Sequence, residues 1–98
     1  MVYFGPAVLD PNDTEVWLIK AAFLYNQSKY DEAIIVLDEA IRLDPKNADA
    51  WRNKGNALYF QGKYDEAIMA LNESIRLDPN DANAWFLKGS ALYRQDKY

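Results

Sequence analysis

The chain has 98 residues, half of which are hydrophobic, and a formal net charge of −4 at pH 7. This length suits one small domain. The acidic balance argues against nucleic acid or an anionic membrane as a partner, because both attract clustered lysine and arginine. The sequence contains no cysteine and no histidine. These absences exclude disulfides and zinc–thiolate sites and remove the commonest general base, so we expect no catalytic residue, no metal and no cofactor.

The N-terminus lacks the features of a targeting segment. Residues 1–10 have neither the basic start nor the long apolar run of a secretory signal. Across the whole sequence, no stretch reaches the roughly 20 apolar residues that span a bilayer. On these grounds we expect a cytoplasmic protein.

A period of 34 residues organises most of the chain. Residues 14–47 and 48–81 align without gaps, and just over half of the aligned positions are identical, far more than composition alone produces. The predicted division is a tail of a preceding repeat or N-terminal extension over residues 1–13, one repeat over 14–47 and a second over 48–81. Residues 82–98 are predicted to form the first helix of an incomplete third repeat.

Each complete block is predicted to form two helices joined by a short turn. The hydrophobic spacing predicts helices over residues 14–27, 31–43, 48–61, 65–77 and 82–95. Asn47 and Asp81 precede two of these helices and are predicted to cap them. Gly62 suits a left-handed turn conformation, and Pro79 is expected to end the preceding helix at Asp78.

These blocks resemble a known repeat family. In the second block the pattern consists of aromatic, apolar and small residues, one lysine and a proline at fixed spacing: Trp51, Lys54, Gly55, Leu58, Ala67, Ser74 and Pro79. This pattern is similar to that of the tetratricopeptide repeat, and the similarity covers nearly everything after Leu9. The resemblance implies an all-α fold, an α-solenoid of antiparallel helix hairpins stacked in a right-handed superhelix.

The departures from this pattern are few. Each block has a lysine in place of the usual apolar residue, at Lys20, Lys54 and Lys88. The aliphatic stem of a lysine can still cover apolar surface while its charge reaches water. Ala21 replaces a packing glycine, and Ser28 and Asp96 replace a turn glycine, which we expect to loosen those two turns. The repeated large side chains are predicted to pack between helices rather than to form a ligand site; they are Trp17, Trp51, Trp85, Leu24, Leu58 and Leu92.

In the resembled family the first helix of each unit lines a concave groove that holds a peptide or a partner helix. Positions that vary between units are expected to meet the partner, whereas matching positions pack. The residues predicted to line this peptide-binding groove are Leu18, Ile19, Tyr25, Arg52, Asn53, Asn56, Tyr59, Phe60, Phe86, Leu87 and Tyr93. Because the set is rich in aromatic and apolar residues with few charges, we predict a protein–protein interaction module for an apolar or amphipathic peptide.

Two alternatives remain at this point. One sub-family of the resembled repeats grips the C-terminal carboxylate of heat-shock chaperones, and Arg52 and Asn56 match its opening pair. Leu87 stands where that pattern requires an asparagine, so this carboxylate site is not favoured. The other alternative is a structural or engineered repeat fragment that mainly self-associates. The helix from residue 82 has no second helix behind it in the sequence, so Trp85 and Leu92 are expected to be uncovered and to promote homo-oligomers.

Overall fold

The computed structural model describes residues 13–96, and within this range every regular element is a helix. The five helices are α1 (Thr14–Asn26), α2 (Tyr30–Leu43), α3 (Ala48–Phe60), α4 (Tyr64–Leu77) and α5 (Ala82–Asp96). Each predicted boundary is within one residue of the observed one. The predicted N-terminal tail lies outside the described residues except for residue 13, and so do residues 97 and 98. Among the described helices, none combines the length and apolar character needed to cross a membrane.

Side-chain caps fix where the first helix of each unit begins. The Asn47 side chain accepts a hydrogen bond from the Ala50 amide at 3.2 Å, and Asp81 Oδ1 accepts one from the Asn83 amide at 3.0 Å. Both predicted caps are therefore confirmed. Asp13 caps α1 in the same way, through the amide of Glu15. These bonds satisfy backbone donors that have no partner within the helix.

The two turns within the complete units share one backbone conformation. Gly62 has φ +80°, which confirms the left-handed turn predicted there, and Ser28 has φ 60° although a looser turn was expected at that residue. In each turn the amide of the following lysine bonds back to the helix, from Lys63 to the Leu58 carbonyl and from Lys29 to the Leu24 carbonyl, both at 3.0 Å. The turn at Ser28 therefore keeps the geometry of the glycine turn, despite the serine Cβ.

Each helix packs on its neighbour in sequence, and α3 also contacts α5. The core is built mainly from small and branched side chains. One buried cluster centres on Leu18, Leu37 and Ala40 between α1 and α2, and a second contains Leu58, Ala67 and Ala91 from α3, α4 and α5. Many core positions are alanines with essentially no exposed surface, and such small residues let helix backbones approach closely.

Polar contacts tie consecutive units together at repeated places. The indole N–H of Trp51 donates to the Pro45 carbonyl at 2.9 Å, and that of Trp85 donates to the Pro79 carbonyl at 2.7 Å. The Gln61 side chain donates to Asp31 of the preceding unit, and Gln95 repeats this contact with Asp65. The polar edges of Trp51 and Trp85 are therefore satisfied within the chain, which supports a structural role for these two indole N–H groups.

The third unit departs from the packing predicted for its large side chains. Trp85 is 49% exposed and Leu92 is 42% exposed, whereas Leu58, the counterpart of Leu92 in the second unit, is only 4% exposed. In the second unit α4 covers this face of the first helix. The prediction that Trp85 and Leu92 pack between helices is therefore wrong for the described chain, and the prediction that they are uncovered is confirmed.

Candidate functional site

The first helices of the three units, α1, α3 and α5, together form one surface, which we call the first-helix surface. The rings of Tyr25 on α1 and Phe60 on α3 are 5.8 Å apart, which joins the first two helices. The direct contact of α3 with α5 extends the surface to the third. Most of the residues predicted to line a groove lie on this surface.

A small cavity lies on this surface between α1 and α3. Its volume is about 200 Å³, and its lining residues are Ala21, Ala22, Tyr25, Asn26, Leu37, Asn53 and Asn56. Three asparagine side chains therefore meet one aromatic ring and an apolar floor. Asparagine can both donate and accept hydrogen bonds, so this cavity offers partners for an amide backbone together with an apolar contact.

An aromatic cluster continues from the cavity towards the turns. Tyr25 packs edge-on against Tyr30 and Phe60, and Tyr30 stacks on Phe60 at a ring separation of 5.7 Å. Phe60 also contacts Tyr59, which in turn contacts Tyr64. Phe60 keeps 52% of its surface exposed despite these contacts. The cluster therefore holds an exposed ring in a fixed position, as suits an apolar anchor of a ligand.

Tyr25 links the cavity to the cluster. Burial raises the pKa of its hydroxyl, a hydrogen bond with Asn56 opposes that rise, and the neighbouring Tyr30 adds to it. Because the net pKa lies above the ordinary value, Tyr25 is a neutral phenol throughout the neutral pH range. The hydroxyl and the Asn56 amide thus form a neutral polar pair in the cavity wall.

Arg52 is held by two aspartates of its own chain. Its Nη1 lies 2.6 Å from Asp81 Oδ2 and 3.2 Å from Asp49 Oδ1. The side chain of Arg52 is 25% exposed, and that of Asp81 is 10% exposed. Asp81 also caps α5, so one carboxylate serves both the helix start and the arginine. The pairing of Arg52 with Asp81 was not predicted, since nothing in the spacing marks residues 29 apart as partners.

A second, more open cavity lies on α5. Its volume is about 500 Å³, and Tyr59, Trp85, Phe86, Gly89, Ser90, Tyr93 and Arg94 line it. Phe86 is 72% exposed and Tyr93 is 62% exposed. The predicted residues Tyr59, Phe86 and Tyr93 are therefore brought together here, apart from the asparagine cavity.

The remaining predicted residues differ in their surroundings. Leu18 is only 8% exposed and packs with Ala21 and Leu37 in the buried cluster, so it is a core residue rather than an accessible groove residue. Ile19 is 69% exposed, whereas Leu87 is partly buried. Neither Ile19 nor Leu87 lines either cavity. Ala21, which the sequence indicated only as a replacement for a packing glycine, also lines the first cavity.

Stacked helical hairpins with an exposed first-helix surface define a helical-repeat protein of the α-solenoid class. The sequence matches the model of the family described as tetratricopeptide repeat over residues 7–48, 24–82 and 52–98. The chain belongs to the tetratricopeptide repeat family, as its sequence pattern predicted. Among curated proteins, no significant sequence match is found.

Solved structures show the same fold. The first TPR of Spaghetti (RPAP3) bound to HSP90 peptide SRMEEVD superposes with a TM-score of 0.84 at 26% identity, covering 91% of this chain and 72% of that one. The TPR2B domain of yeast Sti1 in its pHsp70 complex gives a TM-score of 0.83 at 26% identity, covering 87% of this chain and 68% of that one. The TPR2AB domain of yeast Sti1 in its pHSP90 complex gives a TM-score of 0.85 at 26% identity, and the match covers 92% of this chain and 35% of that one.

Proposed function

We propose that this chain is a protein-interaction module that binds an extended peptide in a groove formed by its first-helix surface. The observation that carries the proposal is the cavity in which Asn26, Asn53 and Asn56 meet the ring of Tyr25. The similar structures of RPAP3 and Sti1 hold chaperone-derived peptides, which favours the same general role. The proposal assigns no catalytic step and no cofactor to the chain.

The chemistry of the cavity suits an extended backbone. A peptide in extended conformation presents amide N–H and carbonyl groups that find no partner within the peptide itself. Asn53 and Asn56 supply both donors and acceptors, and the exposed Phe60 ring offers apolar contact to a side chain of the ligand. A neutral, partly aromatic surface of this kind binds chiefly through a few anchors and backbone hydrogen bonds.

Selection from a random peptide library displayed on phage tests this proposal. We expect the wild-type chain to enrich a set of related peptides. The double variant Asn53→Ala/Phe60→Ala should bind these peptides at least tenfold more weakly, because one hydrogen-bonding group and one apolar anchor are lost.

The matched control is Ile35→Ala/Met69→Ala, which removes two side chains exposed by 69% and 72% on the second helices. Its affinity for the selected peptides should equal that of the wild type. Equal binding by the groove variant, or equal loss in both variants with retained helicity by circular dichroism, would refute the first-helix surface as the binding site.

A second candidate role is self-association through α5. It is favoured by the exposure of Trp85 and Leu92 and by the open space at Gly89, where a Cβ would meet no atom within 4 Å. The corresponding position in the second unit, Gly55, lies directly against Leu71 of α4. An apolar helix face with a glycine at its centre allows a second copy to approach closely.

Sedimentation equilibrium over a concentration series tests this second role. We expect the apparent mass to rise above that of an 11.3 kDa monomer, and Gly89→Arg to keep the protein monomeric. Since a Cβ at Gly89 would meet no atom within 4 Å, we expect this substitution to leave the fold of a single copy intact. A wild-type monomer at every concentration would rule out self-association without affecting the peptide-binding proposal.

A further inference from the structure

The charge arrangement around Arg52 bears on which peptides the first-helix surface accepts. Arg52 lies 2.6 Å from Asp81 and 3.2 Å from Asp49. Asp81 is itself fixed from the other side, since Asp81 Oδ1 accepts the Asn83 amide at 3.0 Å and the Ala84 amide at 3.4 Å. The guanidinium is therefore surrounded by a preorganised carboxylate and a second, more exposed one, and this group of three carries a net negative charge.

The first unit lacks this arrangement. Leu18 stands at the position of Arg52, and Asn47 stands at the position of Asp81. The Asn47 side chain also accepts a backbone hydrogen bond at the start of α3, as Asp81 does at the start of α5, so helix capping by itself does not require an aspartate at residue 81. What the aspartate adds is a negative charge at 2.6 Å from Arg52.

The peptide held by a similar structure is acidic and would need a cation that is free to bind it. The HSP90 peptide SRMEEVD bound to the first TPR of RPAP3 contains three acidic residues and ends in a carboxylate. A carboxylate ligand needs an available cation. In this chain it would have to displace Asp81 from a short, charge-assisted hydrogen bond and approach Asp49 at the same time.

We infer that Asp49 and Asp81 occupy Arg52 in place of a ligand carboxylate, so that the first-helix surface accepts peptide segments without an acidic group at this point and discriminates against acidic peptide ends. This inference rests on the proposed peptide-binding function and narrows its ligand class. Asp81 acts as the specificity-determining residue, because it takes the place that the ligand would need at the arginine. The neutral cavity of Tyr25, Asn53 and Asn56 is consistent with an uncharged segment.

The variant that tests this inference is Asp81→Asn. Asparagine retains the helix cap, as Asn47 does, and removes the charge that occupies Arg52. The matched control is Asp38→Asn on α2, which changes the net charge equally but breaks a contact with Lys54 on α3 instead. Arg52→Ala in the Asp81→Asn background shows whether any gain depends on the arginine.

Two peptides of equal length serve as probes, SRMEEVD and SRMQQVN with an amidated C-terminus, which keeps the arginine but has no carboxylate. Fluorescence anisotropy should show no preference of the wild type or of Asp38→Asn for the acidic peptide. Relative to the carboxylate-free peptide, Asp81→Asn should bind the acidic peptide about tenfold more tightly than the wild type does, which corresponds to one charge-assisted hydrogen bond. The Arg52→Ala change should remove this gain.

A second measurement does not depend on peptide affinity. The side-chain N–H signals of Arg52 can be followed by NMR while N-acetylglycine, a minimal carboxylate ligand, is added. A saturable shift is expected in Asp81→Asn and not in the wild type. A saturable shift in the wild type, or none in Asp81→Asn, would overturn the inference. Failure of both peptides to bind any variant, with the expected NMR response, would instead count against the proposed function.

Discussion

Gly55 provides the sharpest test of how closely the helices of one unit are packed. A Cβ built at this position would lie 2.6 Å from Leu71 Cγ and 2.8 Å from Leu71 Cδ2, and 3.3 Å from the Ala67 carbonyl oxygen. Ordinary van der Waals contact begins near 3.4 Å, so Gly55→Ala forces Leu71 to move. Leu71 has no exposed surface, and its side chain therefore cannot swing into solvent.

Two opposing terms determine the size of the effect. Overpacking a buried site costs about 1–3 kcal/mol, whereas alanine in place of glycine within a helix stabilises by about 1 kcal/mol. The first unit already holds an alanine, Ala21, in the same buried cluster as Leu37, the counterpart of Leu71. A similar hairpin accommodates a methyl group there, but the fully buried Leu71 has to move, so we expect a cost near the middle of the range, about 1.5–2 kcal/mol. After the helix-propensity gain, this leaves a net loss of about 0.5–1 kcal/mol for Gly55→Ala.

Gly89→Ala is the internal control, since a Cβ at Gly89 meets no atom within 4 Å. It should gain the helix propensity without the steric cost. Thermal unfolding at low protein concentration should therefore place Gly55→Ala below the wild type and Gly89→Ala at or above it, with several degrees between the two variants. In a double-mutant cycle, Gly55→Ala should be stabilising in the Leu71→Ala background, because the obstructing side chain is gone. Equal stabilisation by both glycine substitutions would refute the close packing of α3 on α4.

Three further predictions follow from individual contacts. Ser28→Gly should stabilise the chain by about 0.5–1 kcal/mol in urea unfolding. Ser28 has a left-handed φ of 60°, which is energetically unfavourable for a residue with a Cβ but not for glycine. An unchanged free energy of unfolding would contradict that conformation. Burial alone would raise the pKa of Asp81, but the hydrogen bond and charge of Arg52 and two backbone amides lower it overall. The stability that Asp81 contributes should therefore be fully present above its ordinary pKa and be lost as the pH falls through the lower pKa of the folded state. In urea unfolding, the stability difference between the wild type and Asp81→Asn should accordingly shrink below about pH 4. A difference that stays constant with pH would argue against the ion pair of Asp81 with Arg52. Asn72→Asp should reproduce at Lys88 the contact between Asp38 and Lys54, whose atoms lie 2.6 Å apart, and add about 0.2–1 kcal/mol that 1 M salt removes.

The helices and their ends could be predicted from the sequence because the signals for them are local. Asn47 and Asp81 cap helices through amides only two or three residues away, and Gly62 turns the chain through its own φ. Ser28 is the exception, because the sequence predicted a looser turn there, whereas the hydrogen bonds of the turn hold the backbone in the left-handed conformation despite the side chain. The period of the large apolar residues then fixes which faces pack, and this settles the fold.

The candidate surface was predicted less completely, because its contacts join residues that are distant in the sequence. The spacing placed Asn53 and Asn56 on the first-helix surface but gave no sign that they meet Tyr25 and Asn26 around one cavity. The pairing of Arg52 with Asp81 likewise depends on how α5 begins relative to α3. Such contacts require the separation and rotation of two helices, which hydrophobic periodicity does not specify.

The position occupied by Leu18, Arg52 and Phe86 in the three units shows why variation between repeats does not by itself identify ligand contacts. Leu18 is buried with Leu37, Arg52 is bound to two aspartates, and Phe86 is 72% exposed beside an open cavity. One backbone position thus serves core packing, an ion pair with the residue that caps α5, and an accessible surface, according to the side chain and its neighbours. Variation at this position is therefore explained by internal contacts in two units, and only in the third does it leave a side chain available to a partner.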